Sequence, residues 1–327
     1  MRRHFVNVGG GTDGMLGLIV LLQALTLAVS GPATSPEYLP IWIAAADGHF
    51  DRQRLKVTIR TTRSEVGAAE ALAQGQADLV ATSLEALLRF GTREGQSPRL
   101  LVGLTAAPPV ALVVNTAHGR VRSVEELAGL RVGLSAPGAA EHSWLLTLLA
   151  RAKLTPTQVH IVSVGAQGLE RSLAAGEVHA ALLPEPAASR LLTAGTVTLL
   201  ADLRTPTAAR QTLGAPTVSA GVFVRADRRP GERELAAFTR ALLAAEARLT
   251  AGRPEDLAAL LPRHVVETPA SFEARVAQAR TLYLAEGRVT AEQLDATTGF
   301  LGDQLPLPAR ARVQLLPTGR VRTTPTR

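Results

Sequence analysis

The chain has 327 residues, of which 46% are hydrophobic, 19% charged and only 3% aromatic, so it has room for two ordinary domains with packed, largely aliphatic cores. Cysteine is absent, which excludes disulfides, thiolate metal sites, a cysteine nucleophile and a lipid anchor on a leader cysteine. The net charge of +7 does not mark a nucleic-acid surface, because residues 1–24 carry +1, the tail 318–327 carries +3, and the +3 left over 25–317 forms no basic run.

At the amino end, Arg2-Arg3 precedes Phe5-Val6, a glycine-rich stretch and the apolar run Met15–Val29. This is the pattern of a twin-arginine export leader, and the run, about 15 residues long, is short for a membrane span. Cleavage after Ser30 satisfies the small-x-small rule but removes Leu25–Val29, which also reads as the first buried strand. Cleavage after Ala24 keeps that strand and places Leu22 at −3. The pattern leaves both open.

The rest of the chain alternates strands and helices. Strand Leu25–Val29 leads through a turn-rich loop to helix Leu39–Gly48, then strand Lys56–Arg60, helix Gly67–Gln74, strand Asp78–Thr82 and helix Leu84–Phe90. Strands Arg99–Leu104 and Val110–Asn115 follow, broken by Pro108-Pro109. Ser123-Val-Glu-Glu126 has the spacing of a capping box. Next come strand Arg131–Leu134, helix Glu141–Ala152, strand His160–Val164, helix Leu169–Ala175, strand Ala180–Leu183, helix Ala187–Ala194, and strands Thr198–Ala201 and Val218–Arg225. From Gly231 the pattern is helical, interrupted at Pro254, Pro262 and Pro269. Such alternation predicts two α/β blocks, roughly 25–106 and 116–205, with parallel sheets covered on both faces.

Open parallel sheets bind ligands beyond the carboxyl ends of their strands, so the loops after strands supply the candidate site. Ser35 and Tyr38 follow the first strand, Arg63 and Ser64 the second, and Thr82 and Ser83 the third. The turn Ser135–Ala140 joins a strand to a helix. Its Ser135 hydroxyl and the amides at Gly138 and Ala139 can cradle a small polar or anionic group at a helix start. No Gly-x-Gly-x-x-Gly or GK[ST] accompanies it, so neither a dinucleotide nor a P-loop site fits. His142 lies one turn into that helix, Glu185 follows a strand between two prolines, and Ser219 sits near a later crossing. Each has an ordinary structural role beside the functional one: Ser83 and Glu185 as helix caps, Arg63 as a surface charge, His142 as an isolated histidine. The seven histidines show no metal-ligand spacing and no Gly-x-Ser-x-Gly elbow occurs. No cofactor, no metal and no catalytic set is therefore expected.

Six segments resemble, in order and at matching spacing, the solute-binding proteins of ABC importers for taurine, aliphatic sulfonates, nitrate and thiamine pyrimidine precursors. They are YLPIWIA at 38–44 with DGHF at 47–50, AQGQAD at 73–78, SVEELAGLRVG at 123–133, SAPGAAEH at 135–142, AGEVHA at 175–180 and PEP at 184–186. Two positions depart from the family pattern: Pro184 replaces a tryptophan of the pocket wall, and His179 replaces an aspartate. The resemblance implies a two-lobed α/β fold of the type II periplasmic binding class, closing like a hinge. Residues 25–106 with 222–317 would form the first lobe and 107–221 the second, with crossings at Thr105–Ala111 and Pro216–Val222 and a disordered tail at 318–327. It further implies a monomeric periplasmic protein, not an enzyme, that captures a small sulfonate, nitrate or pyrimidine-like solute for a permease. The alternative is an enzyme on the same fold, such as those of the menaquinone pathway, which resemble these proteins; a sensory ligand-binding domain is a third reading.

Overall fold

The structure, a computed structural model, describes residues 24–91, 98–118, 121–135, 140–165, 168–304, 307 and 313–316. The first block runs β1 (Leu25–Ser30), α1 (Leu39–Ala46), α2 (His49–Arg52), β2 (Val57–Thr62), α3 (Glu65–Ala73), β3 (Leu79–Ser83), α4 (Leu84–Phe90) and β4 (Pro98–Gly103). The second runs β5 (Val110–Asn115), β6 (Arg131–Leu134), α5 (Ala140–Arg151), β7 (His160–Ser163), α6 (Leu169–Ala174), β8 (Ala180–Pro184), α7 (Ala187–Thr193), β9 (Val197–Asp202) and α8 (Pro206–Leu213). The chain then returns through β10 (Ala220–Arg225), α9 (Glu232–Ala251), α10 (Pro254–Leu260), α11 (Arg263–Val266), α12 (Pro269–Leu282), α13 (Ala291–Gln304) and β11 (Gln314–Leu315). Among the described residues no helix is long and apolar enough to cross a membrane.

The strands form two sheets, ordered β11-β4-β10-β3-β1-β2 and β7-β6-β8-β5-β9, and the molecule has the two-lobed α/β fold. Where a helix links successive strands the pairing is parallel, as for β1 with β2 and β3, and β6 with β7 and β8. The sheets are parallel-rich, as expected, and each is mixed through one strand. β10 runs antiparallel to β3 and β4, and β5 antiparallel to β8 and β9. These are the strands that the chain enters on crossing from the other lobe, β5 straight from β4 and β10 after α8, and not by a helix returning over the same sheet.

Burial explains the layering. β3 is buried throughout, and α1 is apolar on nearly every side, with Leu39 to Ala44 all buried, as befits a helix enclosed by its neighbours. It packs on α9, as does α2, whose Phe50 stacks on Phe238 of α9 with ring centroids 5.3 Å apart. β1 lies between β2 and β3 with Leu27 and Val29 fully buried, so a chain lacking Leu25–Ser30 would lose the strand that joins them.

Each lobe ties its first parallel pair together in the same way. Thr26 N donates to Asp78 Oδ2 at 2.8 Å while Asp78 N donates to Thr26 O at 2.9 Å. In the second lobe Arg131 N donates to His179 Nδ1 at 3.0 Å and His179 N to Arg131 O at 2.8 Å. The histidine thus does the aspartate's work as acceptor for a strand amide.

Three local expectations are corrected. Ser123 makes no capping bond; Val124–Leu127 is a single tight 3-10 turn in which Glu126 Oε2 accepts from Arg122 N at 2.6 Å. α8 was not expected: its apolar signal is only the pair Ala209 and Leu213, four residues apart, although Thr205 caps its start and Gly214, at φ 81°, ends it. The last helices do not stay with the first sheet: α13 also packs on α5, where Thr147 Oγ1 donates to Phe300 O at 3.4 Å.

The two crossings lie side by side. Thr105 N and Leu104 N both donate to Ala220 O, at 3.2 and 2.8 Å, and Ser219 N donates to Thr105 O at 2.9 Å. Thr105 Oγ1 accepts from Ala220 N at 3.1 Å. This paired ribbon, buried and hydrogen-bonded, is the only backbone route between the sheets that carries strands on both ends among the described residues.

Candidate functional site

Four glutamates converge where the lobes meet. Glu37 lies in the 3-10 turn Pro36–Tyr38 after β1, Glu65 opens α3 after β2, Glu85 lies in the first turn of α4 after β3, and Glu141 in the first turn of α5 after β6. An acidic residue in a first turn is ordinarily stabilised by the helix dipole, so each alone looks unremarkable in sequence. The tertiary fold brings the carboxyl ends of β1, β2, β3 and β6 together, and their helix starts with them.

Neighbouring hydroxyls hold these carboxylates. Glu37 Oε1 accepts from Ser219 Oγ at 3.3 Å and Thr105 Oγ1 at 3.5 Å, both on the crossings, and Glu37 Oε2 accepts from Ser35 Oγ at 3.4 Å. Glu85 Oε1 accepts from Ser143 on the opposite lobe and pairs with Arg89 Nε at 3.0 Å. Glu141 Oε1 accepts from Ser135 Oγ at 3.0 Å. Ser83, which caps α4 by accepting from Ala86 N at 3.2 Å, also bonds the Glu65 carboxyl. Behind them Ser30 Oγ donates to Thr82 Oγ1 at 2.9 Å, and Thr82 in turn donates to Glu65 O at 3.2 Å. Gly31 is required beside this layer, since a Cβ there would stand 2.4 Å from Thr62 O.

Burial dominates the electrostatics. It raises the Glu37 carboxyl to about 7, with Glu141 adding to the rise and Ser219, Ser35 and Thr105 opposing it. Burial likewise raises Glu85 to about 7, against the pull of Ser143 and Arg89. Glu65 is raised well above the usual carboxylate range by burial and by Glu37, Glu141 and Glu85. His142 is lowered by burial and by Arg89. Glu65 and Glu141 nevertheless keep partly accessible surface.

Of the residues singled out in sequence, Ser35, Tyr38, Thr82, Ser83, Ser135 and Ser219 belong to this layer. Tyr38 is 2% exposed, and its hydroxyl finds no hydrogen bond of proper geometry although Ser30 lies beside it and Glu37 and Glu65 are close. His142 is half-buried on α5 within the field of Arg89. Gly138 and Ala139 lie outside the described residues. Three others are placed differently from expectation. Arg63 is exposed and forms no ion pair among the described residues. Ser64 is exposed and caps α3, accepting from Gly67 N at 3.3 Å. Glu185 is occupied internally: it accepts from Ser189 Oγ at 2.7 Å and pairs with Arg204 at 3.2 Å, while Arg204 grips Asp202 at 2.8 Å. A buried carboxylate so engaged has little left to offer a ligand. The sequence reading missed Glu37, Glu65, Glu85 and Glu141. Their shared position, in the first helical turn that follows a strand, was the available signal.

Among the described residues no three His, Asp or Glu side chains stand close enough to hold a metal ion. A groove lined by Ala106, Arg210, Gln211, Thr217 and Gln293 opens beside the crossings; none of the four glutamates lines it.

Comparison with known proteins agrees with this architecture. A protein of Bordetella bronchiseptica RB50 superposes with a TM-score of 0.74 at 22% identity, covering 90% of this chain and 94% of that one. The periplasmic aliphatic sulphonate-binding protein SsuA of Escherichia coli superposes with a TM-score of 0.68 at 19% identity, covering 85% and 90%. The alkanesulfonate-binding protein SsuA of Xanthomonas axonopodis pv. citri, bound to MOPS, gives 0.65 at 19% identity, covering 90% and 98%. At these identities the likeness establishes the fold. No curated protein matches the sequence. The family described as NMT1/THI5-like matches residues 35–251, two-thirds of the length, and the chain belongs to that family.

Proposed function

We propose that this chain is the solute-binding component of an ABC importer, a monomer that captures a small solute between its lobes in the periplasm and presents it to a membrane permease. The observation that carries this reading is the layer of polar side chains from both lobes, Glu37, Glu65 and Glu85 facing Glu141 beside two paired crossings. Lobes of 25–106 with 222–317 and of 107–221 would close on the solute about Thr105 and Ser219. The names borne by similar structures, sulfonate-binding and periplasmic, support the reading. The solute is expected to leave unchanged. The test is to denature the purified protein and identify the released small molecule, then incubate it with fresh protein. Recovery of an intact, equimolar solute is the expected result; product accumulating in proportion to protein would establish an enzyme instead.

The same reading extends to export. Arg2-Arg3 would direct the chain through the twin-arginine route, with cleavage before Leu25 so that β1 survives. Changing both arginines to lysine is expected to retain the protein in the cytoplasm, measured by fractionation. Undiminished periplasmic protein in a strain restricted to that route would refute the assignment.

A further inference from the structure

A hinge made of two crossings alone would leave the lobes free to swing. Here a third segment, from a part of the chain that does not cross, lies against them. Ala106 N donates to Leu282 O and Leu284 N to Leu104 O, each at 2.9 Å, and Thr105 forms an antiparallel bridge with Tyr283. The ribbon is therefore three segments wide, with residues 104–106 between residues 219–220 and residues 282–284. The third segment is anchored on both sides. Leu282 is fully buried in the core packed on the second sheet, and Leu284 is buried in a core cluster of the first.

α13 is shared in the same way. Its Leu294 and Leu301 are buried with Leu84, Leu87 and Leu88 of α4, on the first sheet. Its Phe300 packs against the core of the second sheet, and the Phe300 carbonyl accepts from Thr147 Oγ1 of α5 at 3.4 Å. Between these ends the fully buried Thr297 accepts through Oγ1 from Val218 N of the returning crossing at 3.0 Å. Two further bonds join the lobes: Gln278 Nε2 of α12 donates to Arg204 O, just before α8, at 2.8 Å, and Arg89 Nη2 of α4 donates to Ser143 Oγ of α5 at 3.4 Å. A wide swing about the ribbon would pull Leu282 from its core or strip Phe300 from α5. It would bring buried apolar surface into water and leave buried polar groups unpaired.

We propose that residues 282–304 act as a brace across the hinge, holding the second lobe in one orientation to the first when no solute is bound, so that closure is a small rotation of lobes that already face each other. Close-packed interfaces of this kind hold discrete arrangements and resist continuous deformation. The brace acts whatever the cleft takes, and so stands beyond the reading of the chain as a solute binder.

Rotation about the ribbon moves the far edges of the two sheets most, and those edges are β2 and β7. Arg63 directly follows β2 and Ser163 ends β7, and both are exposed. Because the chain has no cysteine, Arg63→Cys and Ser163→Cys can carry two spin labels with no other change. The full chain is unfolded in urea, dialysed to remove any carried solute and refolded, and the distance between the labels is measured by double electron–electron resonance. A single narrow distance is expected. Adding Phe300→Ala, at a half-buried position, is expected to bring in a second, longer distance. Adding Thr147→Val, which keeps the side-chain shape and removes the bond to Phe300 O, is expected to broaden the peak, and decides the matter if the Phe300→Ala chain does not refold. A broad or two-peaked distribution in the labelled chain without these changes would overturn the brace. So would a narrow peak retained in the refolded variants while their melting temperatures fall or hold, since the contacts would then add stability at most and restrain nothing. No solute enters this measurement, so the brace can fail while solute binding stands, and the reverse.

Discussion

The ligand-free protein is expected to lose stability as pH rises from 5 through 7. Glu37 and Glu85 have ordinary carboxyl values near 4.5 when unfolded and about 7 when folded. Between those values the folded state holds protons that the unfolded state has released, so stability falls with rising pH, by about 1.4 kcal/mol per pH unit for each such group. Glu65, raised well above its usual range, acts in the same direction. Carboxylates lowered by arginine, such as Asp202 and Asp227, titrate below this window and do not offset it. Urea midpoints at pH 5, 6, 7 and 8 check the slope, and a Glu37→Gln, Glu85→Gln double variant should flatten it. A midpoint that rises from pH 5 to 7 would contradict the buried, closely spaced arrangement of the carboxyl groups.

Replacing Arg275 by methionine is expected to destabilise the protein by about 3 kcal/mol and to weaken solute binding with it. Arg275 is 1% exposed on α12, and forms no ion pair among the described residues. Its guanidinium instead donates to Thr34 O at 3.0 Å and to Val265 O and Val266 O at 2.7 Å each, and lies 5.5 Å from the Phe272 ring centroid. Methionine fills much of the volume but leaves three carbonyls without donors. Thr34 is in the loop that delivers Ser35 and Glu37 to the cleft, and Tyr283 fastens the same loop by donating to Pro36 O at 2.6 Å. The melting temperature should fall by roughly 6–12 °C for a chain of this size. Lysine, which cannot reproduce the forked donor geometry, should rescue only part of it. A variant that melts within a degree of the parent would show that the loop is held by Tyr283 alone.

The strand and helix order was legible because it is written in local periodicity. Val110–Asn115, Arg131–Leu134 and Leu84–Phe90 appear where the pattern placed them. Ser83 was legible as a cap for the same reason: a cap depends on residues within one turn of itself. What sequence could not supply was direction and convergence. β5 and β10 read like any apolar strand, and only the crossing of the chain between lobes decides that they run antiparallel. Glu185 stood out between two prolines, yet Arg204, nineteen residues away, claims its carboxylate. Glu37, Glu65, Glu85 and Glu141 each sat in a helical first turn, where an acidic residue is unremarkable. Their spacing of up to 104 positions hides that four helix starts end in one place. Charge preference at a helix start is a local property. Whether such groups share one desolvated space is set by the packing of two sheets, and that burial raises two of them, Glu37 and Glu85, to about 7.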